Sequence, residues 1–361
     1  YEIASCLVGS EMCIRDRIVG AAAALLAVLT TLYVPNTKIP KNGKFDWFSF
    51  LTLAAGCVCI LMVLIYGETD GWTAPGVLCW MYGGFCSFVL AAISCMTHRT
   101  PLLDVRVLGN WRFLFGLLAS LCNIFCICWV RVGTVQFMRN VMNYEPAGIA
   151  WVFLVLVAGF CAGAAIVLPL MQKGRLALRV GMMAGLLGLG SSAFFLSRLD
   201  AGCSWLDVAW PLGLFGVGYA FCLNVATPLA LRGVEAKSAA ASSRTLNTVR
   251  YVFISMYVGS VSTVLAHMKT GYRFDMAEQV RDDSPGTVQT LDMWQRHFSE
   301  TGGTAADIHA SVNAMLNHAV ALQSQVFSVD AFYLCTVIVG AAGVLFALLC
   351  LKSGKERNTA S

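Results

Sequence analysis

The sequence has little charge for its length. Only 12% of the 361 residues are Asp, Glu, Lys or Arg, whereas 58% are apolar, and the mean hydropathy is +0.70. A soluble domain has about one quarter charged residues, so this chain lacks the polar groups needed to cover the surface of a globule. Helices that face lipid need no polar outer side. The composition therefore predicts an all-α, polytopic membrane protein, with membrane lipid as its first partner.

Acidic residues are missing from the predicted hydrocarbon portion of every apolar segment. Ionisable side chains inside a membrane are costly and usually functional, and proton antiport needs such a group. The segments therefore show no obvious proton site. The sequence also has no Walker loop, His/Glu metal motif, nucleophile elbow or dinucleotide fingerprint. We expect no catalytic residue, no metal and no bound cofactor.

Two further residue types are abundant without forming a recognisable site. The basic residues are scattered between apolar runs, with no basic stripe interleaved with aromatics, so we expect no nucleic-acid partner. Most of the fifteen cysteines lie inside apolar runs, where they act as small apolar residues, and only Cys203 falls clearly in an outward loop. Cys122 and Cys126 lie one helical turn apart, but no His or carboxylate near them completes a metal site.

The first seventeen residues differ from everything that follows. Residues 6–17, CLVGSEMCIRDR, resemble the conceptual translation of a transposon-based sequencing adapter. We interpret 1–17 as a non-native segment and exclude it from physical arguments. The sequence also begins without methionine, and we expect the natural protein to start upstream.

Nine apolar segments are long enough, or nearly so, to cross a membrane. The first is short and begins at the adapter junction. The predicted segments are about 18–35, 47–67, 75–97, 112–134, 148–171, 177–197, 205–227, 248–268 and 329–351.

The connecting loops alternate in basic charge. One set, which includes the stretch 232–250 and the tail 352–361, holds 16 Lys and Arg residues, and the alternate set holds 7. The positive-inside rule places the richer set, with the C-terminus, in the cytoplasm. We read 232–250 as a polar inward loop with a short amphipathic connector.

One outward loop, 268–328, is long and mostly polar. Within it, 304–327 has helical periodicity, with Ile308, Val312 and Leu316 near one face. Two interpretations remain open for this loop: a docking surface for an extracytoplasmic partner, or a solvated extension that packs on its own helix ends.

Polar side chains form stripes on three predicted helices. At 100° per residue, the stripe on the fourth segment falls on one face, and the eighth segment carries a comparable one. These residues either line a substrate path or provide hydrogen bonds between helices, as polar residues in membranes commonly do. The substrate-path candidates are Ser120, Asn123, Arg131, Tyr219, Asn224, Arg250, Tyr251, Ser255 and Ser262.

Small residues recur at helical spacing, as in Gly159 with Gly163, Gly181 with Gly185, and Gly213 with Gly216. Such pairs let helix backbones approach closely. They indicate either a dimer face or packing within the chain, and within a transporter the second is more common.

Several stretches resemble one family in order, spacing and orientation. LYVPNTKIPKNGKFDW (32–47), YGETDGWTAP (66–75), TPLLDVRVLGNWRF (100–113), VQFMRNVMNYEPAGIAW (135–151), LFGVGYAFCLNVATP (214–228) and QVFSVDAF (325–332) are similar to the drug:proton antiporter-2 branch of the major facilitator superfamily, the fourteen-helix EmrB/QacA type. The resemblance covers essentially everything after residue 17, and it makes the nine segments helices six to fourteen.

The resemblance implies a domain plan and a function. Residues 18–35 would end the N-terminal bundle, 47–97 would be a two-helix insert, and 112–351 would be the C-terminal six-helix bundle. It implies export of drugs or other small amphiphilic compounds, with the proton gradient as the energy source, across the bacterial inner membrane. Relatives in Gram-negative bacteria work with a periplasmic adaptor and an outer-membrane channel.

The sequence departs from the family pattern at one loop. In MQKGRLALR (171–179) the inner-gate candidates Gly174, Arg175 and Arg179 are present, but the acidic residue of the superfamily loop is not. The family's coupling residues would lie in a missing N-terminal half, so we expect this fragment to be inactive. The alternative is a non-transporting membrane subunit or sensor that uses the long outward loop to bind a partner.

Overall fold

The computed structural model describes residues 20–33 except 22, 46–98, 103–172, 175–231, 234, 239–279, 285–299 and 305–356. The adapter-like segment 1–17 and Gly174 lie outside the described residues. The chain forms two compact units, 1–44 and 45–361. In the first, a single helix is described, α1, Ala23–Tyr33.

The described part of the chain is helical throughout and contains no strand. The helices of the second unit are α2 Trp47–Asp70, α3 Pro75–Thr97, α4 Val105–Leu108, α5 Trp111–Asn140, α6 Pro146–Met171, α7 Arg175–Leu196, α8 Trp205–Leu231, α9 Ala239–Gln279, α10 Pro285–Ser299 and α11 Ala305–Glu356.

Seven of the described helices are long and apolar enough to cross a membrane: α2, α3, α5, α6, α8, α9 and α11. Two shorter apolar helices, Ala23–Tyr33 and Val180–Leu196, occupy the other two predicted segments. The predicted all-α, polytopic membrane architecture is confirmed. The nine predicted segments agree with these helices in order, and several of the helices extend beyond the predicted bounds.

The helices α2 and α3 form an antiparallel hairpin. Asp46 caps α2, because its Oδ1 accepts a hydrogen bond of 3.0 Å from the backbone N–H of Ser49. The Ser49 hydroxyl lies 2.8 Å from that of Ser94 near the end of α3. The hairpin docks on α9, where the Thr263 hydroxyl donates to the carbonyl oxygen of Leu64 at 2.9 Å.

Close approaches at glycines hold α6, α7 and α8 together. A Cβ atom added to Gly163 would lie 2.9 Å from the Cα of Val217, and one on Gly185 would lie 2.7 Å from the Sγ of Cys222. The paired glycines therefore serve packing within the chain, as was expected for a transporter.

Contacts along the helices give their relative directions. Ser120 of α5 meets Arg250 of α9, and five residues later Phe125 meets Tyr257, so these two helices run parallel. Gly185 and Gly188 of α7 face Cys222 and Gly218 of α8 in reverse order, so that pair is antiparallel. These directions match the alternation predicted from the basic residues.

Two stretches predicted as loops are helical. The end of the predicted inward loop, from Ala239 to Arg250, forms the first turns of α9, because Ala-rich sequence with few strong helix breakers continues the helix. The long outward loop contains the end of α9, all of α10 and the start of α11. The helical periodicity predicted for 304–327 corresponds to the first part of α11.

Candidate functional site

The polar residues of α5 lie well inside the membrane span. Ser120 is nine residues after Trp111, where α5 begins, and Arg131 is twenty residues after it. At 1.5 Å per residue these positions lie about 14 Å and about 30 Å along a helix of about 45 Å. A hydrocarbon core of about 30 Å centred on α5 includes both positions.

Arg250 reaches Ser120 across the boundary between α9 and α5. Its Nε donates to the Ser120 Oγ at 3.0 Å, and its Nη2 donates to the same oxygen. Ser120 is 2% exposed. Arg250 was predicted at the inner end of the eighth segment, where the stretch 232–250 ends, and in the structure it is a residue of α9 whose guanidinium lies at the depth of Ser120.

Tyr219 of α8 completes this region. Its phenol is within electrostatic range of both Arg250 and Arg131, and its ring lies 5.5 Å from that of Phe160. Arg131 itself is exposed, and it shares one side of α5 with Ser120. We call the following set the arginine face: Ser120, Asn123, Arg131, Tyr219 and Arg250.

Asn123 is the polar residue of the arginine face with an unmet hydrogen bond. It is 1% exposed, and its Oδ1 is buried without a hydrogen-bond partner. Leaving a buried acceptor unpaired costs about 1–3 kcal/mol. We therefore expect the Asn123 amide oxygen to accept a hydrogen bond from a donor that is not among the described residues.

The other described substrate-path candidates form no hydrogen bond to this face, although Tyr251 is within electrostatic range of Arg250. The Asn224 side chain donates to the carbonyl oxygen of Ala220 in its own helix, at 2.8 Å. Ser255 likewise bonds the carbonyl oxygen of Tyr251, at 3.2 Å, and Tyr251 is 70% exposed. The side chain of Ser262 lies outside the described residues. Among the nine candidates, the structure therefore shows one direct contact, between Ser120 and Arg250, with Tyr219 within electrostatic range of Arg250 and Arg131.

The inner-gate candidates lie at the start of α7 and just before it. Arg175 and Arg179 belong to the first turns of α7, and their side chains, like the whole of Gly174, lie outside the described residues. Their role stays a prediction.

An aromatic cluster, not predicted from the sequence, lies next to the arginine face. Trp129 stacks on Phe332 with ring centroids 4.0 Å apart and planes at 4°, and Phe125 lies 4.3 Å from Trp129. The Tyr257 ring contacts Phe125 edge-on at 5.4 Å. Trp129 Nε1 is buried without an acceptor. The recurrence of aromatic residues at 125 and 129 was a signal that could have indicated this cluster.

A second overlooked group lies toward the opposite end of α5. The Thr134 and Tyr333 hydroxyls are 2.9 Å apart, and Asp330, one turn before Tyr333, has a buried Oδ1 without a hydrogen-bond partner. Asp330 lies one residue inside the start of the predicted segment 329–351, and in the structure it belongs to the continuous helix α11. A carboxylate within one turn of an apolar run was the signal for it.

The described residues offer no cluster of metal ligands. Among the described residues, no group of three or more His, Cys, Asp or Glu side chains is placed to hold a metal ion. The described cysteines are free thiols, and Cys122 and Cys126 are accompanied by neither His nor carboxylate ligands.

Comparison with known proteins gives the relationships of the chain. No protein-family model matches. The chain is 26% identical over 246 residues to multidrug resistance protein Stp of Mycobacterium tuberculosis, which covers 67% of this chain and 45% of that protein. It is 21% identical over 258 residues to a "Probable actinorhodin transporter" of Streptomyces coelicolor, covering 68% of this chain and 43% of the relative.

Among solved structures, a bacterial homologue of the human lysosomal transporter Spinster, in an inward-facing and unoccupied conformation, aligns with a TM-score of 0.47 and 13% identity, over 84% of this chain and 68% of that one. The chain spans less than half the length of the curated relatives it matches. Those relatives are named as a resistance protein and a transporter and not as enzymes, so this membrane chain is related to transport proteins.

Proposed function

We propose that this chain forms part of a secondary active transporter of the major facilitator superfamily that exports small amphiphilic compounds. The observation that carries the proposal is the arginine face, where Arg250 donates to Ser120 at hydrocarbon depth. Asn123, with its unpaired amide oxygen, and Arg131 follow Ser120 on the same helix. Charged groups inside a membrane usually face a bundle interior or a water-filled cavity and mark a substrate or ion path. The similarity to the mycobacterial and Streptomyces relatives supports the same function.

The finer assignment follows the family resemblance. We assign the transporter to the drug:proton antiporter-2 branch, with 18–35 as helix six, 47–97 as the two-helix insert and 112–351 as helices nine to fourteen. The docking of α2 on α9 is compatible with an insert beside the C-terminal bundle. The substrate cavity would lie between two repeats, as is common in secondary transporters.

Location and orientation are part of the proposal. The excess of basic residues in alternate loops supports a multi-pass protein of the bacterial inner membrane with a cytoplasmic C-terminus. The helical segments of 268–328 would then face the periplasm, where they supply a surface for an adaptor that leads to an outer-membrane channel.

Energy would come from the proton gradient. Among the described residues, Asp330 combines a place in an apolar helix with a buried carboxylate oxygen that has no partner. The family resemblance places further coupling residues in an N-terminal half. We therefore assign no proton path to the described helices alone.

Dye export in cells tests the proposal. The protein would be expressed from its complete gene in a bacterial strain without its own major exporters, and the accumulation of fluorescent amphiphilic dyes would be followed with and without an uncoupler. We expect lower accumulation than with empty vector, and the uncoupler should abolish the difference. The variant Arg139→Gln, at the exposed end of α5, serves as a control that should export normally.

Failure would take two recognisable forms. Export that persists after the uncoupler would contradict proton coupling but not transport. No export of any dye, with normal membrane insertion, would favour the non-transporting alternative. In that case, crosslinking from residues of α10 would show whether a periplasmic partner binds there.

A further inference from the structure

The charges of the arginine face have no acidic counterpart in the described part of the chain. Electrostatic partners of Arg250 are the tyrosines Tyr219 and Tyr251, and its hydrogen bonds go to a neutral serine hydroxyl. None of the described carboxylates forms an ion pair with Arg250 or with Arg131. Two guanidinium groups therefore lie at hydrocarbon depth without a compensating negative charge from the described residues.

A guanidinium at such a depth needs an anion. A charge inside a membrane is costly, and membrane arginines face a water-filled cavity or pair with acidic groups or backbone carbonyls. Arg also has five donors in a planar fork that matches a carboxylate or sulfonate. Ser120 takes two of these donors from Arg250, which leaves the others for a ligand.

The surroundings fit an apolar body attached to that anion. Arg250 and Tyr257 lie seven residues apart on one side of α9, a rise of about 10 Å. Tyr257 leads into the buried aromatic cluster through Phe125, and the buried amide oxygen of Asn123, one turn beyond Ser120, has no hydrogen-bond donor among the described residues. The region thus combines fixed positive charge, one acceptor and stacked aromatic rings.

We propose that the arginine face binds amphiphilic organic anions, with Arg250 as the main anion-binding residue and Arg131 as a second one farther along α5. The statement that these anions are the exported substrates rests on the proposed function. The binding of the anions can be measured without transport. A lipid with an anionic headgroup also carries a negative charge on an apolar body. The test must therefore distinguish a free organic anion from an anionic lipid.

The test is equilibrium binding to the purified protein, expressed from its complete gene, in a neutral detergent. Fluorescence anisotropy would compare two xanthene dyes of similar size, the anionic fluorescein and the cationic rhodamine 6G. We expect saturable binding of fluorescein and weaker binding of rhodamine 6G. Hydrogen bonds to charged groups contribute about 1.5–3 kcal/mol, so Arg250→Gln should weaken fluorescein binding about tenfold or more.

Matched variants control for folding and for general charge. Arg250→Lys keeps the charge and should recover part of the affinity, whereas Arg139→Gln removes an exposed charge from the same helix and should change it less than about twofold. If Arg250→Gln does not fold, the exposed Arg131→Gln decides the question, with an expected loss of about threefold or more, as an exposed charged pair contributes up to about 1 kcal/mol. Equal losses for both dyes, or equal losses in Arg131→Gln and Arg139→Gln, would overturn the proposal.

A lipid titration separates the two sources of the anion. Phosphatidylglycerol, added at increasing ratio to the detergent, should leave fluorescein affinity unchanged relative to added phosphatidylcholine. Displacement by phosphatidylglycerol alone would assign the site to lipid and overturn the proposal for a free organic anion. Selective fluorescein binding without any dye export would contradict the proposed function and leave the anion site standing.

Discussion

Gly159 of α6 packs directly on the backbone of Gly213 of α8, so that a Cβ atom added at 159 would lie 2.9 Å from the carbonyl carbon of Gly213. Two backbones meet at this point without a side chain between them, which is the arrangement that small residues allow in membranes. The approach fixes α6 against the helix that carries Tyr219.

Gly159→Ala should destabilise the protein. The added methyl would meet backbone rather than a flexible side chain, and overpacking of this kind costs about 1–3 kcal/mol. Thermal unfolding in detergent measures the effect as a lower Tm. The control is Gly190→Ala in α7, where an added Cβ meets nothing within 4 Å, and an equal loss in both variants would contradict the assignment of Gly159 as a packing contact.

Asp46→Ala should weaken the α2–α3 hairpin. The change removes the carboxylate that accepts from the backbone N–H of Ser49, and loss of such a cap costs about 0.5–2 kcal/mol. Asp46→Asn keeps a capping oxygen and should lose much less. Limited proteolysis of the hairpin and the Tm in detergent both report the change, and an Asp46→Ala variant with an unchanged Tm would mean that the cap contributes nothing.

Cys203, between α7 and α8, should react slowly with thiol reagents. Partial burial, followed by the carboxylates of Asp207 and Asp200, raises the pKa of this thiol. The reactive thiolate is therefore scarcer at neutral pH than for an ordinary cysteine, and the rate should rise as pH increases through 8 and 9. Labelling of intact cells with a membrane-impermeant maleimide measures the rate.

The same labelling experiment has an internal control. Asp207→Asn removes a nearby negative charge and should speed the reaction of Cys203 at a fixed pH. Labelling from outside the cell supports the proposed orientation, whereas labelling of inverted vesicles alone would reverse it. A rate that does not respond to Asp207→Asn would contradict the electrostatic part of the argument.

Asp330→Asn should stabilise the protein and impair its function. Asp330 is partly buried and its Oδ1 has no hydrogen-bond partner, so replacing the ionisable carboxyl group with a neutral amide removes the cost of burying a charge. A group kept at that cost is expected to serve export, and the variant should show a higher Tm with slower dye export. The control is Asp275→Asn on the exposed end of α9, which should change neither. A variant with unchanged export would make Asp330 a structural residue.

The helices could be predicted from the sequence because lipid imposes a length and a composition on each crossing segment. The limits of α9 could not, since the polar sequence from Ala239 to Arg250 reads as a loop when only hydropathy is considered. The predicted segment 47–67 begins directly after Asp46, and the capping bond of Asp46 marks the start of α2 at that position. The relative helix directions were predictable because the basic residues are concentrated in alternate loops.

The grouping within the candidate site was only partly predictable. The stripe of Ser120, Asn123 and Arg131 follows from helical spacing alone. The contact between Ser120 and Arg250 joins residues 130 positions apart, and no local pattern indicates such a pair. Tyr251 was placed beside Arg250 on the same helix, but neighbouring residues differ by 100° in direction, and Tyr251 is exposed instead.

The contact between the α2–α3 hairpin and α9 links the position of the hairpin to the rotation of α9. The hairpin rests on α9 at Gly259 and Thr263, and Gly259, nine residues beyond Arg250, points to the opposite side of that helix. A rotation of α9 about its axis that moves the Arg250 guanidinium would therefore also move the hairpin. The distance between one spin label on α3 and another on α6 would report this movement, and neither label would replace a residue of the arginine face.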